Sequence, residues 1–270
     1  MPERETVLIT GGSGGMGAEF AKIFAAHGFH VVLAARSEPK MAALASELNQ
    51  LPGAKEQIGA AAEYIVADLS TEDGAGKLWA EVQRRGLQID QLVNNAGAGK
   101  VGRTVDADPA VMQGLINLNV TSLTLLCRLA GAEMVKRGHG KILNISSTAG
   151  MFPDPYFNVY GPSKAYVLAL TEAMRGELKG TGVTVCALCP GPVRTNWAAN
   201  AGKAYPAMAA DPKRVAQTGF AAMQKGKISV VPGTFTKIGT WLITRCLPRG
   251  ARVAVGAAWQ MAMIKKDRKN

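Results

Sequence analysis

Seven short apolar runs, each followed by a stretch long enough for a helix, constrain what this chain can fold into more than any single residue does. They are TVLIT (6–10), HVVLAA (30–35), AEYIVAD (62–68), QLVNNA (91–96), GKILNIS (140–146), VTVCAL (183–188) and KISVV (227–231). Runs with little polar alternation read as strands covered on both faces, and helix-length connections imply parallel neighbours joined by right-handed crossovers. The expected fold is α/β: a doubly wound sheet of about seven parallel strands with helices on both faces. At 270 residues and 47% apolar content the chain suits one such unit with a large core. Ligands of such sheets gather outside the carboxyl ends of the strands, where strand order reverses, so the residues after each run carry the functional question.

After the first run comes TGGSGGMG (10–17), in which Gly11, Ser13, Gly15, Met16 and Gly17 join a strand to a helix. Glycines here permit a tight turn, close backbone approach to a phosphate, and close packing of a helix whose N-terminus faces the anion. The second run ends in Ala35-Arg36-Ser37, where a carboxylate would otherwise receive the adenosine ribose of NAD. An arginine in its place can fork onto a 2′-phosphate, so NADP(H) is expected over NAD(H). The third run ends at Asp68 and Leu69, placed to meet the adenine. The fourth ends in NNAG, where Asn95, Ala96 and Gly97 are expected along the cofactor and Asn94 either touches it or pins adjacent strands.

Tyr160 and Lys164, in YGPSK, are four residues apart. On a helix they project from one face, and a lysine cation close to a phenol favours the phenolate, giving a proton donor and acceptor. Pro162 fits between them if it lies in the first helical turn. Thirteen residues before Tyr160, the fifth run ends at Ser146 and Ser147, either of which could hydrogen-bond a substrate carbonyl. In isolation such a tyrosine and lysine would read as an ordinary surface pair.

Taken together and in order, TGGSGGMG, Asp68, NNAG, Asn119 in LNVTS, Ser147, Tyr160-x-x-x-Lys164 and PGPVRT (190–195) resemble the short-chain dehydrogenase/reductase family, whose fold is of Rossmann type. The resemblance covers residues 6 to about 232. It implies that Tyr160 exchanges the proton, that Ser147 orients the carbonyl, and that Asn119 supports a water relay. Lys164 would hold the nicotinamide ribose, and Pro190, Gly191, Val193 and Thr195 would meet the carboxamide end of the cofactor. The alternative in another class is a non-catalytic NADP(H)-binding regulator or scaffold.

Substrate choice is expected from Met151, Tyr156 and Trp197, with Phe152 and Phe157 as further apolar candidates, favouring a hydrophobic ketone or aldehyde and its alcohol. FPDPYFNVY and the tail are similar to a bacterial subgroup labelled DltE-like, and more distantly to steroid and long-chain 3-oxoacyl reductases. The family habit implies a homodimer or homotetramer. Cys127, Cys186, Cys189 and Cys246 form neither a disulfide pattern nor a paired zinc spacing, and Cys186 and Cys189 read as buried strand residues. No metal is expected. MPERETVLIT has no apolar signal core, so the expected location is cytoplasmic.

Residues 1–236 are read as the main domain and 237–270 as a basic, apolar helical extension packed on it. Eight cations in that extension (Lys237, Arg245, Arg249, Arg252, Lys265, Lys266, Arg268, Lys269) face one acid, Asp267, so it carries +7 of the net +11. Within it no uncharged run reaches the roughly 18 residues needed to span a bilayer. It could close the substrate pocket, form an oligomer interface, or rest on an anionic membrane surface. Nucleic acid is not expected, because no recognition motif accompanies the charge.

Overall fold

A computed structural model of the chain describes residues 4–50, 62–203 and 208–267. Residues 204–207, within the segment after Thr195, lie outside the described residues, as do 268–270 and the side chains of Lys265 and Lys266. Seven strands form one parallel sheet: β1 (Thr6–Thr10), β2 (His30–Ala35), β3 (Ala62–Val66), β4 (Gln91–Asn94), β5 (Gly140–Ile145), β6 (Val183–Leu188) and β7 (Ser229–Val230). Their order is β3-β2-β1-β4-β5-β6-β7, so the winding direction reverses between β1 and β4. That reversal opens a crevice at the carboxyl ends of those two strands.

Four runs end sooner as strands than the apolar pattern suggests, at Val66, Asn94, Ile145 and Val230. The trimmed residues leave the ladder for the loops that build the crevice: Asn95 N donates to Thr10 Oγ1 at 3.1 Å, and the Ser146 hydroxyl turns to the helix behind it.

The described helices are α1 (Gly15–Ala26), α2 (Glu38–Asn49), α3 (Gly74–Arg84), α4 (Pro109–Ile116), α5 (Ser122–Arg137), α6 (Tyr160–Glu177), α7 (Trp197–Ala201), α8 (Pro212–Gln224), α9 (Thr234–Cys246) and α10 (Arg249–Asp267). Side chains of β1 alternate between two cores. Val7 and Ile9 pack with Phe20 and Phe24 of α1, Met41 and Leu48 of α2 and Val215 of α8. Leu8 packs on the other face with Leu78 and Val82 of α3, Leu126 and Met134 of α5 and Val167 of α6. Phe20 and Phe24 are fully buried, each worth roughly 1.5–3 kcal/mol of transfer free energy.

Between α4 and α5, Asn117–Thr121 forms a single π-helical turn. The span Pro109–Arg137 is long and apolar enough to cross a membrane by length and composition. It lies against the sheet instead, through Leu123, Leu126, Cys127, Ala130 and Met134. Cys186 and Cys189 are buried, and burial raises their thiols to about 11 and about 12, which keeps them protonated and unreactive. The helix holding residue 237 starts at Thr234, so the extension begins one turn earlier than the charge pattern suggests.

Candidate active site

The glycine-rich turn is held open by backbone geometry that side chains would spoil. Gly11 (φ 66°) and Gly15 (φ 56°) occupy the left-handed region. A β-carbon on Gly17 would lie 2.2 Å from Gly11 O, so the start of α1 can approach the end of β1 only as glycine. Asn95 completes the turn: its Nδ2 donates to Thr10 O (2.9 Å) and Gly11 O (3.2 Å), and Ala96 N donates to Thr10 Oγ1 (3.0 Å). The Asn95 amide therefore shapes the cradle rather than facing into it. Asn94 is the strand pin, donating to Asn144 Oδ1 at 2.9 Å and to Cys127 Sγ at 3.3 Å. Ser13 and Met16 are half-buried in the same turn, Met16 against the core that Phe20 anchors.

At the end of β2, Arg36 is exposed, with half-buried Ser37 beside it. Hydrogen bonds from Ser70 hold the Asp68 carboxyl below the usual carboxylate range, and the positive charge of nearby Arg36 adds to this. Leu69, expected at the adenine, instead buries its side chain in the core beside Ala75 and Leu78. Only its backbone is left for the crevice, and Leu69 O already accepts from Ser122 Oγ (2.8 Å).

The PGPVRT segment reaches this cradle from the far side of the crevice. A β-carbon on Gly15 would lie 3.2 Å from Thr195 Cγ2, so Thr195 borders the glycine-rich turn. Pro190 O accepts from Thr148 N (3.0 Å) and Ser147 Oγ (3.3 Å), while Gly191 abuts Thr236 of α9. Val193 pairs with Ala210 in a short parallel bridge. A glycine cradle at a helix N-terminus fits the pyrophosphate of a dinucleotide.

Tyr160 opens α6, with Pro162 at its third position, inside the first turn as expected. Tyr160 N donates to Phe157 O (2.9 Å), and its ring stacks at 4.5 Å from Phe157 and 4.8 Å from Trp197. Trp197 is fixed in turn by its Nε1, which donates to Gly97 O at 3.0 Å. Ser147 lies close enough to lower the Tyr160 hydroxyl while its Oγ donates to Pro190 O (3.3 Å), whereas Ser146 Oγ donates to Lys164 O (2.7 Å) inside the core. Of the two hydroxyls, that of Ser146 is committed to the core.

One expectation is reversed. Tyr160 is not pulled toward the phenolate: burial among the rings pushes its hydroxyl up to about 12, Ser147 opposes this, and the negative charge of Asp154 adds to it. Lys164 Nζ stands 5.7 Å from the ring centroid and donates to Ile145 O at 2.7 Å. Burial brings Lys164 down to about 8. Desolvation dominates both groups, so among the protein's own atoms the phenol stays protonated at neutral pH.

Asn119 is fully buried, and its side-chain amide is committed. Nδ2 donates to Ala98 O (2.8 Å) and Ser163 Oγ (3.1 Å), and Oδ1 accepts from Ala98 N (3.1 Å). Ser163 Oγ donates to Tyr160 O (2.7 Å), so Asn119 ties the loop after β4 to the helix start that carries Tyr160. With both amide protons spent, any water relay at this point must use the backbone of the π-helical turn.

Of the expected substrate contacts, Trp197 is in the ring cluster, but Tyr156 sits at φ 63° and its neighbour Phe157 supplies the ring against Tyr160. Met151 is half-buried at the end of the 3-10 turn Thr148–Gly150. Three polar residues near the cluster carried no sequence signal. Lys203 Nζ lies 4.0 Å over the Phe157 ring, Asp154 stands close enough to act on Tyr160, and Gln260 of α10 donates to Asp154 Oδ1 at 2.7 Å. Burial raises the Asp154 carboxyl and lowers the Lys203 amine. Among the described residues no cluster of metal-ligating side chains occurs.

The family model for short chain dehydrogenase matches residues 5–206. A ketoacyl reductase, HetN, from Nostoc sp. is 36% identical over 187 residues, covering 69% of this chain and 63% of that protein. A very-long-chain 3-oxoacyl-CoA reductase from Anas platyrhynchos is 33% identical, covering 68% of this chain and 58% of its own. The chain thus spans about three fifths of the length of these relatives. Among solved structures, a short-chain dehydrogenase from Sphingobium yanoikuyae in complex with NADPH superposes with a TM-score of 0.78 at 30% identity, covering 87% of this chain and 90% of the other.

Proposed function

Because this chain belongs to the short-chain dehydrogenase family, we propose that it is an NADPH-dependent carbonyl reductase acting on an apolar, lipid-like ketone such as a 3-oxoacyl compound. The observation that carries the reading is the Tyr160 phenol, close enough to Ser147 to be lowered by it and packed on the rings of Phe157 and Trp197 beside the strand-order reversal. Bound NADPH supplies a hydride to the carbonyl carbon. Tyr160, a phenol at neutral pH, gives its proton to the carbonyl oxygen as charge develops there, and Ser147 donates a hydrogen bond that orients the same oxygen.

Lys164, close to the start of the Gly97 loop, is placed to donate to a ribose hydroxyl and to lower the cost of the phenolate that proton transfer leaves behind. Arg36 would pair with the 2′-phosphate, and Gly11, Gly15 and Gly17 would admit the pyrophosphate to the N-terminus of α1. The rings of Phe157 and Trp197 exclude water from the reacting oxygen and favour an apolar substrate; the relatives named for ketoacyl and 3-oxoacyl substrates support that class. The test is a fluorescence titration with NADPH and NADH, on the natural chain and on Arg36→Ala, followed by a screen of 3-oxoacyl and other apolar ketones. Tighter NADPH binding that depends on Arg36, with turnover, is the expected result; binding of neither dinucleotide overturns the assignment.

A further inference from the structure

The two helices of the C-terminal extension face the wrong way for a water-exposed surface. At 100° per residue, Phe235, Ile238, Trp241 and Leu242 fall in one arc of about 120° on α9. That arc is exposed, with Phe235 at 90% and Trp241 at 56%, whereas the buried side of the helix carries Thr240. On α10, Gly256 and Gln260 are the buried positions, and Val255, Trp259 and Met261 are exposed, spread over an arc of about 160° that leaves the buried side out.

These helices turn their small and polar residues inward and their aromatics outward, the reverse of an ordinary surface helix. The inward side is well specified. A β-carbon on Gly256 would lie 2.3 Å from Pro153 O, and Gln260 Nε2 bonds Asp154. The exposed face is therefore not a consequence of loose docking.

Charge selects what covers that face. Between Asp211 and Asp267 the sequence has ten lysines and arginines and no acid. Lys237, Arg245 and Arg249 are exposed, and none forms an ion pair among the described residues. A symmetric contact with a second copy through these helices would set cations against cations with only Asp267 at the end of α10 to pair them. Exposed tryptophans flanked by lysine and arginine instead match the boundary of an anionic lipid bilayer.

We propose that α9 and α10 dock this protein on anionic membrane surfaces, lying in the interface rather than crossing it. Because α10 also braces Pro153 and Asp154 beside Tyr160, the lipid-facing surface and one wall of the candidate pocket are two sides of one helix.

The test is co-sedimentation of the full chain with vesicles of phosphatidylglycerol and phosphatidylcholine, and of phosphatidylcholine alone, at low and high salt. The natural chain should pellet with the anionic vesicles at low salt and be released as salt rises. A Phe235→Ser/Trp241→Ser/Trp259→Ser variant should lose binding by about tenfold or more, and Arg245→Glu/Arg249→Glu should lose it on anionic vesicles specifically. Unchanged NADPH binding by both variants shows that they remain folded, and if NADPH does not bind, an unchanged circular-dichroism melt serves the same purpose. Equal partitioning of natural chain and variants, or no partitioning of the natural chain, overturns the proposal. So does light scattering that shows a dimer dissociated by the triple variant, since the face would then join two copies.

Discussion

Replacing Lys164 by methionine separates what this residue does for activity from what it costs the fold. Lys164 is 3% exposed, and burial lowers it from 10.5 to about 8. A lowered lysine is one whose charged form the folded state disfavours, so its contribution improves as pH rises toward the ordinary value and worsens as pH falls. For values of about 8 folded and 10.5 unfolded, linkage gives a cost of about 3 kcal/mol at pH 7 and about 1 kcal/mol at pH 9.5. Methionine is unbranched and one heavy atom shorter, carries no charge, and gives up the 2.7 Å bond to Ile145 O, a loss of about 1–3 kcal/mol if that buried carbonyl is left unpaired.

The part of that bond that does not depend on pH cancels in the comparison, and its change with the charge of the amine is already contained in the lowered value. Measured by urea unfolding, the stability of Lys164→Met relative to the natural chain should be about 2 kcal/mol more favourable at pH 7 than at pH 9.5. Reductase turnover should meanwhile fall by about 10²-fold or more. A stability difference that does not change with pH would show that Lys164 is not desolvated as its burial implies.

Three other outcomes follow from the geometry. The kcat/KM for the cofactor should fall as pH rises through about 8, because Lys164 loses its donated charge there while Tyr160, near 12, stays a phenol; Lys164→Arg should remove that limb even if it lowers the plateau. Arg36→Ala should weaken NADPH about 10- to 100-fold and leave NADH within a factor of a few, read by isothermal titration, since only the 2′-phosphate uses a charge-assisted bond there. Gly256→Val must push α10 off Pro153, and should cost about 1–3 kcal/mol in unfolding free energy and raise the ketone KM more than it changes kcat; an unchanged KM would separate α10 from the pocket wall.

The sheet was legible because strand identity here is a matter of apolar runs, and those depend on local residues alone. All seven runs contain the strands, and the errors lie at the ends, where Asn95 and Ser146 leave the ladder for tertiary bonds that no local pattern encodes. The placement of Tyr160, Lys164 and Pro162 followed from helical spacing. Their ionisation did not, because spacing shows that two groups can approach but not how much solvent each loses; desolvation by Phe157 and Trp197 reverses the expected direction for Tyr160.

Which of Tyr156 and Phe157 meets the Tyr160 ring was hidden from the sequence for a similar reason. A single left-handed residue, Tyr156 at φ 63°, decides which of two adjacent rings meets Tyr160, and no preference of tyrosine forecasts that conformation. Asp154, Lys203 and Gln260 come from segments up to 106 residues apart and meet only in the folded chain. The charge of the extension was plain from composition, whereas the inward turn of Thr240 and Gln260 required the packing.

The most direct measurement is a single-turnover reaction of enzyme-bound NADPH with a 3-oxoacyl substrate, followed by loss of nicotinamide fluorescence, on the natural chain and on Tyr160→Phe. Phenylalanine keeps the ring contacts with Phe157 and Trp197, so cofactor affinity should be unchanged. The rate of hydride loss should fall by about 10²- to 10⁴-fold, the usual worth of a positioned proton donor. Equal rates for the two proteins would contradict the assignment of Tyr160 as that donor, and with it the account of this crevice as a carbonyl reductase site.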